Sequence, residues 1–288
     1  MCMEYIMGRS SNDATDRTHE QIREHYEIEK DLAKQLMGAS KSERRHLYAS
    51  LYDELYKRVS HHPQLIRKTS PAETQRAIDR QLKFLSQFLT KDSIFVEVGA
   101  GDCALSFEVA KQVKWVYAID VSEEVTRSED SPPNFQLILS DGCSILNTSI
   151  KANVIYSNQL MEHLHPDDAL EQLNNIYGAL NAGGCYVCVT PNRLTGPHDI
   201  SMYFDNVASG FHLKEYSISE LTSLFLNVGF TRVDLYALIK GRQIKIPIRM
   251  IYIVEKVLDA MPTKIGKMMA KSSLFRGILN SRVVGIRQ

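Results

Sequence analysis

From residue 93 onward the chain alternates short β-branched and aromatic runs with helical stretches, and no other feature constrains the fold as tightly. The runs SIFVEV (93–98), WVYAI (115–119), FQLIL (135–139), NVIYS (153–157) and CYVCVT (185–190) all have strand length. Between them, 103–113 and 166–180 carry apolar residues at helical spacing. The second opens with Pro166, Asp167 and Asp168 and stops before Gly183-Gly184, as helix ends prefer. Alternation of this kind predicts an α/β fold class: a doubly wound, mainly parallel sheet covered by helices on both faces. Two more runs, TRVDLYALI (231–239) and the closing RVVGIRQ (282–288), bring the strands to seven, with a helical insertion near 241–280 before the last.

The first 90 residues read differently. Residues 1–15 are polar and unpatterned, a composition that predicts disorder. Residues 16–60 place Ile22, Tyr26, Leu32, Leu36, Leu47, Leu51 and Leu55 at helical spacing. Ser70-Pro71-Ala72-Glu73 then reads as a capped helix start. The expected organisation is a helical extension or lid over 1–90, followed without a flexible linker by one domain over 91–288.

Charge and cysteine usage narrow the partners. Lys+Arg and Asp+Glu both number 34, so the whole chain announces no polyanion. Residues 240–288 depart from this balance, with eleven basic and two acidic residues interleaved with apolar ones. That segment is a solvated basic face, or a contact for an acidic substrate, a carrier protein or a peripheral membrane surface. No transmembrane run or secretory pattern is present, and five cysteines fit reduced thiols in a cytoplasmic setting. Cys185-x-x-Cys188 lies in a predicted strand, where residues three apart point to opposite faces, so its expected role is structural.

Glu97-Val98-Gly99-Ala100-Gly101-Asp102-Cys103-Ala104 follows a strand and opens a helix. Glycines allow a sharp turn and close ligand approach, and the helix start offers unpaired N–H groups. Such a loop suits a dinucleotide as well. Asp120, 19 residues after Gly101 at the end of the next strand, suits ribose hydroxyls in either case. Glu97, however, would repel a pyrophosphate and attract a cation. Ser140-Asp141-Gly142 after the third strand can accept from an adenine amino group.

Together with the paired closing strands, these residues resemble the class I S-adenosylmethionine-dependent methyltransferases across roughly residues 75–288. The resemblance implies S-adenosylmethionine as cofactor. It implies Glu97, Gly99, Ala100 and Gly101 at the methionine end, Asp120 at the ribose with Val121 beside it, Asp141 and Gly142 at the adenine, and Asn158 at the end of the fourth strand. Cys103 stands where the family usually has a third glycine.

The string Ser157-Asn158-Gln159-Leu160-Met161-Glu162-His163-Leu164 follows the fourth strand and faces the expected methyl position. With Thr190-Pro191-Asn192 and the later Gly210-Phe211-His212-Leu213-Lys214-Glu215, it is similar to a metal-supported subset: plant-type small-RNA 2′-O-methyltransferases and ubiquinone-biosynthesis O-methyltransferases. That likeness implies a divalent ion on Gln159, Glu162, His163 and His212, with Gln159 replacing a glutamate and so removing one charge. One helical turn over 159–163 would put Gln159, Glu162 and His163 on one face. A plain base role for His163 or His212, or a structural Glu-His pair, remains the alternative; His165, His198 and Asp199 are further local candidates. The expected function is O-methylation of a small-molecule hydroxyl, such as a natural product or sugar. The rivals are an RNA 2′-O-methyltransferase, for which the neutral charge is a poor match, and a non-catalytic cofactor-binding module.

Overall fold

The computed structural model describes residues 17–66, 71–121, 131–140, 150–239, 242–280 and 282–288. The disorder expected over 1–15 lies outside them. Four helices lead: α1 (His19–Gly38), α2 (Lys41–Arg58), α3 (Pro63–Ile66) and α4 (Pro71–Leu85). The alternating part follows as β1 (Ile94–Val98), α5 (Ala104–Ala110), β2 (Trp115–Asp120), β3 (Phe135–Leu139), β4 (Ala152–Asn158), α6 (Pro166–Ala179), β5 (Leu180–Val189), α7 (Ile218–Val228) and β6 (Arg232–Ile239). The chain ends with β7 (Arg242–Ile246), α8 (Ile248–Asp259), α9 (Thr263–Ala270), α10 (Ser273–Leu279) and β8 (Arg282–Ile286).

The strands form one sheet in the order β3-β2-β1-β4-β5-β8-β6-β7. β1 to β5 pair in parallel; β8 runs antiparallel to both β5 and β6. Among the described residues the sheet has eight strands where seven were expected, because the insertion begins with β7, paired antiparallel to β6 from Leu235↔Ile246 to Ile239↔Arg242. The physical cause is visible in RQIKIP: Ile244 and Ile246 alternate with polar residues at strand period, and Pro247 ends the ladder and serves as the N-cap of α8. Arg242 and Lys245 keep this edge charged.

Side-chain alternation along the strands sorts the core into two layers. Val96, Val98, Ile155, Tyr186 and Cys188 pack with α1, α2, α6 and α7, whereas Phe95, Val154, Tyr156, Cys185 and Val187 pack with α4 and α5. Cys185 and Cys188 are thus buried on opposite faces, in agreement with the strand reading.

The N-terminal helices are built into this core. Leu32, Leu36, Leu51 and Leu55 are nearly fully buried in the layer that holds Val96 and Ile155. α2 is also clamped to the start of α6. Arg44 Nε and Nη2 each lie 2.6 Å from the Asp168 carboxylate, whose side chain is 1% exposed, and the Tyr48 hydroxyl donates to it at 2.7 Å. The same Tyr48 oxygen accepts from His165 N–H at 3.0 Å. The chain just after His163 is therefore held by α2.

Candidate active site

The loop after β1 is shaped by left-handed backbone. Gly99 (φ 74°) and Gly101 (φ 51°) adopt it without a Cβ penalty. Cys103 (φ 56°), the residue at the family's third glycine, adopts it too and caps α5. Its side chain is fully buried beside Ala100 and Ala118. A Cβ on Gly99 would meet Leu160 at 3.3 Å, so the loop and the segment after β4 lie in close contact.

Asp120 ties the loop to β2. One carboxylate oxygen accepts Gly101 N–H and the other Val121 N–H, both at 2.8 Å. Glu97 lies beneath the loop on the α5 side, where it accepts the Ser106 hydroxyl at 2.6 Å. Burial pushes its carboxyl up to about 8 against the pull of that hydrogen bond, and the nearby carboxylates of Asp102 and Asp120 add to the rise. A cavity of about 160 Å³ opens at the carboxyl ends of the strands. Gly99, Asp120, Val121, Ser140, Leu160 and His163 line it, together with Tyr48 and Tyr52 from α2. Ala100 and Asn158 are buried beside the loop and at the end of β4. Asp141 and Gly142, expected at the adenine, lie outside the described residues.

The segment after β4 is a tight turn, not a full helical turn. Gln159 takes φ 53°, and only Met161–His163 form a 3₁₀ turn. The shared face expected for Gln159, Glu162 and His163 is therefore not formed, because the left-handed residue breaks the helical periodicity. Glu162 and His163 are instead joined by His212, and ligand atoms of these three lie within 4.8 Å of one another.

The proton positions in this trio follow from the partners. His163 Nδ1 lies 3.0 Å from the Phe211 carbonyl and 2.9 Å from the Tyr52 hydroxyl. A carbonyl only accepts, so Nδ1 carries the proton and Nε2 keeps a lone pair. His212 Nδ1 meets the Glu215 carboxylate at 2.8 Å, which assigns its proton in the same way. Glu162 accepts the Thr190 hydroxyl at 2.8 Å through one oxygen; the other is 4.0 Å from His163 Nε2. Among the described residues, neither that second oxygen nor His212 Nε2 has a hydrogen-bond partner, and both are buried. Buried polar atoms are seldom left so, and here they converge with the lone pair of His163 Nε2. Each histidine is also backed by an acceptor on its far nitrogen, the usual second layer of a metal site.

Charge in the trio is strongly coupled. Burial raises the Glu162 carboxyl to about 7, against the attraction of His212. Burial and the His212 cation together press His163 down to about 3. His212 rises to about 9 although burial opposes it, because Glu215, Glu162 and Asp199 favour its cation. Glu215 falls to about 2, its burial outweighed by the hydrogen bonds from His198 and His212.

Other candidates have local tasks. His165 caps α6, accepting Asp167 N–H at 3.2 Å. Asp199 accepts Ser201 N–H and Gly210 N–H and so shapes the loop before His212; His198 contacts Thr195 and Glu215. Asn192 points to α8 and α10, donating to Glu255 and to the Leu279 carbonyl.

A second cluster, His25, Glu29 and His62, sits on the N–H side of Phe211. Glu29 accepts Phe211 N–H at 2.9 Å and pairs with His25 Nε2 at 2.8 Å. His25 Nδ1 faces the Arg17 guanidinium at 3.0 Å, and His62 Nδ1 accepts Gln64 N–H at 3.2 Å. Guanidinium and amide groups only donate, so each ring's other nitrogen must carry a proton. This cluster is a hydrogen-bonded brace for Phe211, whose carbonyl holds His163, and its donors do not suit a metal.

Tyr52, Glu29 and Glu215 were not singled out from the sequence. Glu215 had a signal, since it follows His212 by three residues in the same motif; Tyr52 and Glu29 are brought in only by the packing of α1 and α2.

The chain is similar to known proteins in its family domain and fold. The family model described as a methyltransferase domain matches residues 72–235. Two proteins named probable S-adenosylmethionine-dependent methyltransferase, from two strains of Mycobacterium tuberculosis, are each 25% identical over 151 residues, covering 52% of this chain and 53% of theirs. The chain thus spans about half the length of these relatives. Among solved structures, an S-adenosylmethionine-dependent methyltransferase from Archaeoglobus fulgidus aligns over 73% of this chain and 93% of its own, with TM-score 0.50 and 16% identity. Phosphoethanolamine N-methyltransferase 1 of Haemonchus contortus, with phosphoethanolamine and S-adenosylhomocysteine, aligns over 87% of this chain and 50% of its own, with TM-score 0.54 and 17% identity. At these identities the structures share a fold with the chain and nothing narrower.

Proposed function

The chain belongs to the methyltransferase-domain family of class I S-adenosylmethionine-dependent enzymes, and on that premise we propose that it methylates a hydroxyl oxygen of a small molecule with support from a divalent metal. The observation that carries this reading is the convergence of His163 Nε2 with two unpartnered buried atoms, His212 Nε2 and one Glu162 oxygen, close to the cofactor loop.

S-adenosylmethionine supplies an electrophilic methyl group on a sulfonium. The chain's part is to bind, align and dry the reactants. Gly99 and Gly101 let the cofactor approach the backbone, and Asp120 fixes the loop while presenting carboxylate to the cavity edge. The cofactor's positive charge would draw the buried Glu97 carboxyl toward its ionised form. Tyr48, Tyr52 and Leu160 give the cavity a largely apolar wall, which suits a transfer that neutralises charge.

Glu162, His163 and His212 would hold the ion, two nitrogens and one oxygen, which suits borderline divalent metals. Such an ion lowers the pKa of a bound hydroxyl and orients it. Phe211 C=O and Glu215 hold the two imidazole rings with their Nε2 atoms directed at that point, where an ion would displace the His212 Nε2 proton. The alternative in which His163 acts alone as the base is weaker, because a ring held down near 3 is a poor proton acceptor.

The test is titration calorimetry combined with turnover. Chelator-treated protein should bind S-adenosylmethionine but lose methyl transfer to a panel of phenols, catechols and sugars, and a divalent ion should restore it. Full turnover in chelator would remove the metal from the reading, and failure to bind S-adenosylmethionine would remove the reaction itself.

A further inference from the structure

The insertion between β6 and β8 presents a face that methyl transfer does not use. On α8, Ile251, Glu255 and Leu258 turn inward. Met250, Ile253 and Val257, spaced by three and four, share the opposite side, and Ile253 is 64% exposed. α9 repeats the arrangement: Gly266 and Ala270 are buried, while Ile265 and Met268 look outward, the latter 70% exposed. Leu274 of α10 adds a third exposed apolar side chain, at 62%. Arg249 and Lys256 on α8, Lys264 on α9 and Lys271, which caps α9, are exposed cations of the same segment.

The acids of this region are withdrawn from that face. Residues 242–280 contain only Glu255 and Asp259. Glu255 is buried, accepting Ile218 N–H at 2.7 Å and Ser219 N–H at 3.0 Å at the start of α7. Asp259 is held by both terminal nitrogens of Arg193, at 3.0 and 2.6 Å. Lys267 of α9 reaches the Asn206 carbonyl, so the face adjoins the loop that exposes Val207. The result is aliphatic and cationic, with neither of its own carboxylates left to answer an acidic or a basic partner.

We propose that this face docks on the anionic surface of a lipid bilayer. Aliphatic side chains enter the boundary between headgroups and acyl chains, and the exposed cations meet lipid phosphates. Among the described residues no helix is long and apolar enough to cross a membrane, so the insertion lies on the surface. A second copy of the chain fits less well, because pairing this face with itself would bring like charges together. RNA fits less well too, because single strands stack on aromatic rings, and the outermost side chains here are Ile253, Met268 and Leu274. The proposal is independent of the methyl-transfer reading.

The experiment is co-sedimentation of the full chain with large unilamellar vesicles of phosphatidylcholine, with and without phosphatidylglycerol. Binding should require phosphatidylglycerol and weaken as salt rises. The combined variant Ile253→Asp, Met268→Asp, Leu274→Asp should lose about tenfold or more of its vesicle affinity, with circular dichroism and melting temperature unchanged because all three side chains are exposed. A second variant, Lys256→Glu with Lys264→Glu, should lose the phosphatidylglycerol dependence. The proposal is overturned if the wild-type chain binds neither vesicle, or if both variants bind as well as wild type. It is overturned equally if the exposed residues instead drive dimerisation in sedimentation velocity or binding to single-stranded RNA while vesicles are ignored.

Discussion

Replacing Arg44 with Met should destabilise the protein by about 3 kcal/mol, and the figure follows from what Asp168 would retain. In the folded chain Asp168 accepts two guanidinium N–H bonds and the Tyr48 hydroxyl, with both ionic side chains almost entirely buried. Removing one partner of such a pair typically costs ~3–5 kcal/mol, because the other charge is left dry and unpaired. Two features favour the low end. Tyr48 still donates, and Asp168 sits in the first turn of α6, where the helix dipole favours a carboxylate by up to ~1 kcal/mol. Urea unfolding followed by circular dichroism measures the loss as a shifted midpoint at constant slope. The double variant Arg44→Met, Asp168→Leu should recover most of it, since an apolar pair of similar volume needs no hydration. A loss under about 1 kcal/mol in the single variant, or a double variant worse than the single, would refute the reasoning that a desolvated charge pair fastens α2 to α6.

Three further outcomes are expected. Cys103→Gly should change stability by less than about 1 kcal/mol, because relief of the left-handed backbone offsets the lost side-chain packing, whereas the β-branched Cys103→Val should cost more than about 2 kcal/mol in the same unfolding assay. Metal affinity, followed by titration calorimetry, should rise with pH as Glu162 ionises near 7 and His212 loses its proton near 9; affinity independent of pH would exclude both as ligands. In chelator, the His212–Glu215 pair has a raised histidine and a depressed carboxylate relative to 6.5 and 4.5, so its stabilisation is full between those values. It should be lost as pH rises from 6.5 through about 9 and as pH falls from 4.5 through about 2, so the melting-temperature difference from His212→Gln/Glu215→Gln should narrow on both sides.

Much of the fold was legible because parallel sheets write themselves as repeated apolar runs, and the glycine loop as Gly99 and Gly101 after one of them. β7 was missed because five residues alternating with basic side chains were read into a helical insertion. At the site, the resemblance to metal-supported methyltransferases points to Glu162, His163 and His212, and the fold brings them together. Gln159 was grouped with them on an assumed helical turn, which its left-handed backbone interrupts. The supports escaped notice for a different reason. Tyr52 and Glu29 reach His163 and Phe211 across 111 and 182 residues, and no local pattern records such contacts. Only the packing of α1 and α2 into the shared core creates them.

The most direct test of the account is a crystal structure with S-adenosylhomocysteine and Mn²⁺, examined by anomalous scattering. The cofactor should lie along Gly99–Gly101 with its ribose at Asp120, and the anomalous peak should fall among Glu162, His163 Nε2 and His212 Nε2. A peak at His25, Glu29 and His62 instead, or an ordered cofactor with no ion at the trio, would contradict it.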